Sequence, residues 1–436
     1  MSKDLLNEIS AKVQRFKDFA IAKHELGVNI HELLAEYEGC IEEFTEKVKE
    51  LSVVESTQYN EPDTLKDIRD SRPEGSRQIP FTLSDAELYD KILGGWLGRA
   101  AGCLLGIPVE VMTKDYIKNF AAAVGEAYPL NDYWGTLPPH RSPYKKHYGH
   151  TRLSDIIRPF IRSMASDDDM MYSVLNLMIL EEYGIDFTPD DVGDAWLKYL
   201  AQVCTAEKMA LRNLRAGLKP PETAIVDNPY WEWIGASIRA DTWGWVSPGR
   251  PEMAAEMAYK DATVSHIKNG IYGEMFFAAM IAAAFVTSDI RSLVQIGLSE
   301  IPARCRLAEA ITQTVKWYDE LNDWNKTWDK INEAYGHYHA VHTINNACFT
   351  ILGLLHGEGD FTKTISYTVM AGFDTDCTGA TAGSIAGVIY GRKGLPSRWY
   401  EPFNDTLESY IIGHPEEKFT ELAQRTMAIA KAILCK

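Results

Sequence analysis

Six carboxylates stand where they could hold a cation. Asp167, Asp168 and Asp169 follow Ser166 and precede the apolar stretch MMYSVLNLMIL, Asp374 and Asp376 lie in FDTDCTGA, and Glu110 closes GGWLGRAAGCLLGIPVE. A single aspartate before a helix is explained by capping, because its oxygen accepts from the free N–H groups of the first turn and suits the helix dipole. Three in a row repel one another, and capping gives no reason to keep the extra charges. A hard divalent cation does: Mg²⁺, Mn²⁺ or Ca²⁺ takes carboxylate and hydroxyl oxygens, and several carboxylates can hold two ions.

The elements that must position these groups are helices. Gly94, Gly98, Gly102 and Gly106 recur every four residues, as do Gly379, Gly383, Gly387 and Gly391. Each glycine inside a helix costs about 1 kcal/mol relative to alanine, so eight of them must serve close backbone approach. If the two striped helices pack antiparallel, Glu110, Asp374 and Asp376 meet at one end of the bundle. LSDAELYDKILGG opens the first with a capping box, Ser84 at the N-cap and Glu87 three residues on. Helical spacing recurs near 170–183, 190–202, 205–217, 252–260, 270–286, 305–320, 339–355, 362–371, 379–390 and 416–433, with little β alternation. Residues 85–436 therefore read as one all-α domain. Before it, Leu6, Ile9, Val13, Phe16 and Ala20, then Ile30, Leu34, Tyr37, Ile41, Phe44, Val48 and Leu51, predict a helical hairpin over 1–52. Residues 53–84, with Pro62, Pro73, Gly75 and Pro80, read as a linker. Two short helices do not bury such seams alone, so they pack on each other, on the main body, or on a second copy in a homo-oligomer.

The chain has 436 residues with 44 Lys+Arg against 61 Asp+Glu, a net charge of −17. That excess argues against nucleic-acid and anionic-membrane partners, which are bound through Lys and Arg. With 46% hydrophobic and 24% charged residues the composition is that of a globular protein. The longest apolar runs, 275–286 and 377–391, fall short of the roughly 20 residues of a membrane span. MSKDLLNEIS lacks the apolar stretch of a signal peptide, so a cytoplasmic location is expected. The 7 cysteines are scattered, with no CxxC pair, and read as reduced thiols.

In that order, GGWLGRAAGCLLGIPVE, SDDDM and GFDTDCTGATAGSIAGVIYG resemble the motifs of the ADP-ribosylglycohydrolase family, which includes dinitrogenase-reductase-activating glycohydrolases and ADP-ribosyl-arginine and ADP-ribosyl-serine hydrolases. The resemblance covers roughly residues 85–400. It implies an all-α orthogonal helical bundle with a dinuclear magnesium site. Ser166, Asp167 and Asp168 match the family's Thr-Asp-Asp metal ligands, and Asp374 and Asp376 match its Asp-Thr-Asp-Thr aspartates. Glu110 matches the glutamate that closes the first motif and takes part in catalysis in some members. His266, in ATVSHIKNGIYGE, resembles the Thr-His element near the ribose pocket.

This chain also departs from the pattern. Cys377 stands where a metal-ligating Thr is usual, so either Thr378 substitutes or one metal site is weakened or takes a softer ion. Asp169 replaces a second Thr or Ser, and Cys103 occupies a position that is often Asp. With His266, Asp169 and Cys377 are expected to face the substrate.

Other motifs have two readings. His337, His339 and His342 could ligate zinc or lie on one helix face. Tyr230, Trp231, Trp233, Trp243 and Trp245 could stack on a ring or fill core volume. Residues 131–153, with Arg141, Lys145, Lys146 and Arg152 against Asp132, form either a solvated loop or a cationic lid for an anionic substrate. The function expected is metal-dependent hydrolysis of a ribosyl glycosidic bond, with two divalent cations, Mg²⁺ first, fixing the sugar hydroxyls and activating water. Glu110 or Asp168 would be the general base. The alternatives are a metal-dependent glycosidase or nucleosidase for a small sugar substrate, or an inactive binding member of the family.

Overall fold

The computed structural model describes residues 9–10, 12–13, 31–49, 58–141 and 152–435. The chain divides into two compact units, Met1–Thr57 and Gln58–Lys436. In the first, His31–Lys49 forms a helix. The first arm of the expected hairpin lies almost wholly outside the described residues, as do residues 50–57.

The second unit is an all-α bundle. The glycine stripes decide its centre, the helices Asp85–Gly106 and Thr375–Gly394. A Cβ at Gly94, Gly98 or Gly102 would lie closer than 3.0 Å to the carbonyl oxygen of Gly387, Gly383 or Gly379 respectively, and one at Gly106 would meet Thr375 and Asp376. The descending partners against ascending numbers show an antiparallel pair in backbone contact. Gly391 differs: its φ of 66° breaks the second helix, and its neighbour is Asp90. Gly102→Ala is expected to cost about 3 kcal/mol or more, since the new methyl meets backbone on both sides and has no rotamer to escape into. Chemical denaturation measures this; a loss under about 1 kcal/mol would show that the helices can part.

Ser84 begins the first striped helix with the expected capping box, its N–H donating to Glu87 Oε2 at 2.8 Å while the Glu87 N–H donates to Ser84 Oγ at 3.3 Å. Asp85–Val109 has the length and hydropathy to cross a bilayer, but its apolar window is wholly enclosed by protein. The helix Asn269–Ala284 is also buried on every side, which its near-continuous apolar sequence requires. Trp243 and Trp245 are core residues with no exposure.

Residues 58–84 are fastened along the domain, unlike a free linker. The Asn60 N–H donates to Arg304 O, Glu61 pairs with Arg306 at 2.8 Å, and the short helix Leu65–Ser71 buries Ile68 completely. Arg72 and Arg77 both reach the buried Glu300. The polar, proline-broken composition hides this because the attachment is ionic and not periodic.

Among the described residues the one sheet is an antiparallel hairpin, Thr406–Ile411 with His414–Lys418, where helical spacing had been expected from residue 416. It bears on the site. The Met164 N–H donates to Thr406 O and the Glu408 N–H to Met164 O, so the hairpin edge pins the segment that runs into Ser166.

Candidate metal centre

Two helix N-termini converge here. Asp167 is the N-cap of Asp168–Tyr183, its Oδ1 accepting from the Asp169 N–H at 3.0 Å, so capping does explain one of the three aspartates. Asp374 occupies the corresponding place before Thr375–Gly394 and makes no side-chain cap. Its own N–H donates to Asn346 Oδ1 at 3.1 Å, and Asn346 Nδ2 in turn donates to Ala340 O and His342 O. Glu110 follows the 3-10 turn Ile107–Val109, and the next residue, Val111, takes φ 62°. The Val111 N–H donates to Phe373 O and the Phe373 N–H to Met112 O, with Phe373 itself at φ 66°. Left-handed backbone is costly for bulky residues, and here one strained residue on each side, Val111 and Phe373, holds Glu110 near Asp374.

The side chains form two adjoining sets. Ligand atoms of Cys103, Asp167 and Asp169 lie within 4.8 Å of one another, as do those of Asp374, Asp376 and Cys377. The fields overlap: Asp167 and Glu110 both raise the pKa of Asp374 and Asp376, and Cys377 favours the charged forms of Asp169 and Asp374. Asp167 and Asp169 have no exposure, Asp374 and Asp376 almost none, while Asp168 and Glu110 keep partial access to solvent.

Burial and like charge act together. Desolvation first, then Glu110, pushes Asp374 up to about 7. Asp376 is raised further by burial and by Glu110 and Asp374. Asp168 is raised by desolvation, then Asp167 and Asp169. Burial, followed by the neighbouring carboxylates, also raises the thiols of Cys103 and Cys377. Among the described residues, Asp169 Oδ2 and Asp376 Oδ1 are buried with no hydrogen-bond partner. Buried oxygens are normally satisfied, and carboxylates this close ionise together only when a cation neutralises them. The donor set therefore fits a divalent cation.

One cation of the site belongs to the chain. Arg99, fully buried in the first striped helix, donates from Nη2 to Asp169 Oδ1 at 3.0 Å and from Nη1 to Asp241 Oδ2 at 2.6 Å, and from Nε and Nη2 to the Asp169 carbonyl. The sequence reasoning missed it, although a lone arginine inside GGWLGRAAGCLLG was the available signal; Asn346 in TINNACFTILG was another. Arg99→Met would strand two buried carboxylates and is expected to cost about 3–5 kcal/mol, read from the urea midpoint; an unchanged midpoint would refute the pairing.

Several expected roles meet a different placement. Asp169, expected to face substrate, is enclosed and paired with Arg99. Cys377, also expected to face substrate, sits among the acids of the second set, and the buried Thr378 hydroxyl donates to Asp374 O at 2.9 Å. Ser166 is buried beside Asp167. His266 has no exposure: its Nδ1 lies 2.7 Å from Ser265 Oγ in the network around Arg239, and burial and then Arg239 lower its pKa. The structure does not bring it to the acids. His339 and His342 lie in the loop before Thr343–His356 and not on a helix face: His339 stacks on Trp233 at 4.2 Å, and His342 caps the helix. Of the basic loop, Arg141 donates to Glu110 O at 3.0 Å and pairs with its carboxylate at 3.4 Å. Lys145 and Lys146 lie outside the described residues.

A family model described as ADP-ribosylglycohydrolase matches residues 84–432. A solved structure called an ADP-ribosylglycohydrolase-related protein complex superposes with a TM-score of 0.53 at 18% identity, covering 79% of this chain and 99% of that chain; the likeness is one of fold. No curated protein matches the sequence. The family match takes in both glycine stripes and both aspartate motifs, so the sequence and the helical architecture agree: the chain belongs to the ADP-ribosylglycohydrolase family.

Proposed function

We propose that the protein hydrolyses a ribosyl glycosidic bond, removing ADP-ribose or a related ribosyl group from a protein or small molecule, with divalent cations held at the acidic cluster. Membership of a glycohydrolase family supports the reaction class. The observation that carries the metal dependence is the pair of unpartnered buried oxygens, Asp169 Oδ2 and Asp376 Oδ1, one in each ligand set. Asp167, Asp169, Asp374 and Asp376 would hold the ions, with Asp168 reaching in from the solvent side. When bound, such cations would orient the ribose hydroxyls and acidify water.

The chain's own groups then divide the remaining work. Glu110 and Asp168 both lie outside the two sets with partly exposed side chains; with Asp168 given to a cation, Glu110 would take the proton from attacking water. Arg141 and the backbone lock at Val111 and Phe373 hold it there. The four deeply buried acids would fix the cation positions.

The test is a panel of arginine- and serine-linked ADP-ribosyl peptides and free ribosyl compounds, with and without chelator. Turnover that stops in chelator and returns with Mg²⁺ or Mn²⁺ is expected. Turnover persisting in excess chelator would sink the metal dependence, and no turnover on any ribosyl compound with metal bound would sink the substrate class.

A further inference from the structure

Resting on the proposal that this cluster binds divalent cations, we infer that the site is a mixed carboxylate–thiolate centre. Cys103 and Cys377 are ligands, and they rank thiophilic borderline ions such as Zn²⁺ and Co²⁺ above Mg²⁺. Each thiol belongs to a different set, Cys103 with Asp167 and Asp169, Cys377 with Asp374 and Asp376. Each set also contains one buried carboxylate oxygen that lacks a partner. Two carboxylates and one sulfur, repeated on the two sides of one cluster, is a donor set that oxygen chemistry alone does not call for.

A packing cysteine is the competing explanation. Such a residue behaves as a small hydrophobe and belongs among apolar groups. Cys305 and Cys348 are fully buried and neither is part of a ligand cluster: Cys305 caps a helix, its Sγ accepting from the Ala308 N–H at 3.4 Å. Cys103 and Cys377 are buried among carboxylates instead. The helices that carry them are held in register, because the glycine contacts on either side, Gly102 against Gly379 and Gly106 against Thr375–Asp376, are backbone against backbone.

Hard ions such as Mg²⁺ gain little from sulfur, whereas Zn²⁺ and Co²⁺ gain a strong bond from thiolate without giving up carboxylate or water ligands. Ligation forms one sulfur–metal bond and releases one proton to solvent per thiol, so metal affinity and proton release are coupled.

The experiment is a Co²⁺ titration of the full-length metal-free protein in a Cys40→Ser, Cys435→Ser background, which removes the two exposed thiols. A thiolate-to-cobalt charge-transfer band in the near ultraviolet is expected, weakened in Cys103→Ser, weakened in Cys377→Ser and absent in the double variant. Competition calorimetry should show the preference for Zn²⁺ over Mg²⁺ falling about tenfold or more per thiol removed. X-ray absorption of the zinc-loaded background protein, which needs no thiol variant to fold, should show sulfur at about 2.3 Å. Cobalt bound in an Asp376-dependent manner, with no charge-transfer band and no sulfur scatterer, would overturn the thiol ligands and leave the metal-dependent reading intact. No Asp376-dependent binding of Co²⁺, Zn²⁺ or Mg²⁺ would overturn that reading itself, and the inference with it.

Discussion

Asp376→Asn is expected to raise the melting temperature of the metal-free protein while abolishing its stabilisation by divalent cations. In the metal-free fold Asp376 is a liability. It is buried, one oxygen has no partner, and Glu110, Asp374, Asp167 and Asp169 all oppose its ionisation. An amide of the same shape removes one charge from that repulsion, so the metal-free state gains. The same change would delete one of the proposed cation ligands, so saturating Mg²⁺, Mn²⁺ or Zn²⁺ should no longer shift the transition. Hydrolysis should fall on the order of 10³-fold, the scale of losing a few kcal/mol of electrostatic stabilisation at the reacting centre. Thermal melts with and without metal give the first two results and a chelator-controlled assay the third. A variant that keeps the full metal-induced shift would remove Asp376 from the ligand set.

Asp374→Asn should gain on the wild type, without metal, as pH rises from about 4 to about 7. Asp374 has its folded-state pKa pushed up to about 7 from an ordinary 3.8. The native state thus binds a proton that the unfolded chain has released, and stability present below the unfolded value is lost as pH rises through the folded one. Asp168, Asp169 and Asp376 are raised in the same direction and extend the loss upward. Buried His266 and His342, whose pKa values are lowered, contribute the opposite slope below about 6.5. Both histidines titrate in wild type and variant alike and cancel in the difference, which reports Asp374 together with the carboxylates it repels, Asp376 above all. Saturating metal should invert the wild-type slope, because the cation binds the carboxylate form and displaces protons. Melting temperatures from pH 4 to 8 measure this, and a difference that stays flat across the window would rule out a buried, repelled Asp374.

The fold was legible where the signal was local. A four-residue glycine interval fixes one face of a helix whatever the rest of the chain does, and two such faces have few partners able to approach as closely as each other. The Ser84–Glu87 cap was legible for the same reason, being closed within one turn. The attachment of residues 58–84 was not, because Glu61, Arg72 and Arg77 find their partners at Arg306 and Glu300, more than 200 residues away. The hairpin Thr406–Lys418 carries little alternation and was equally hidden.

By itself the sequence determined that the two glycine faces serve close backbone approach and that Glu110, Asp374 and Asp376 meet if those helices run antiparallel, with Asp167 and Asp168 joined to them as candidate cation ligands, since helical spacing is a local property. Only the tertiary structure decided the company those groups keep. It places Cys377 among the acids, turns the Thr378 hydroxyl to the Asp374 carbonyl, pairs Asp169 with Arg99, sets Cys103 against Asp167, and encloses His266 within the Arg239 network. The reason is geometric: helical periodicity says which side chains share a face, and the packing of faces brought together from distant parts of the chain says which oxygen meets which sulfur, cation or cavity.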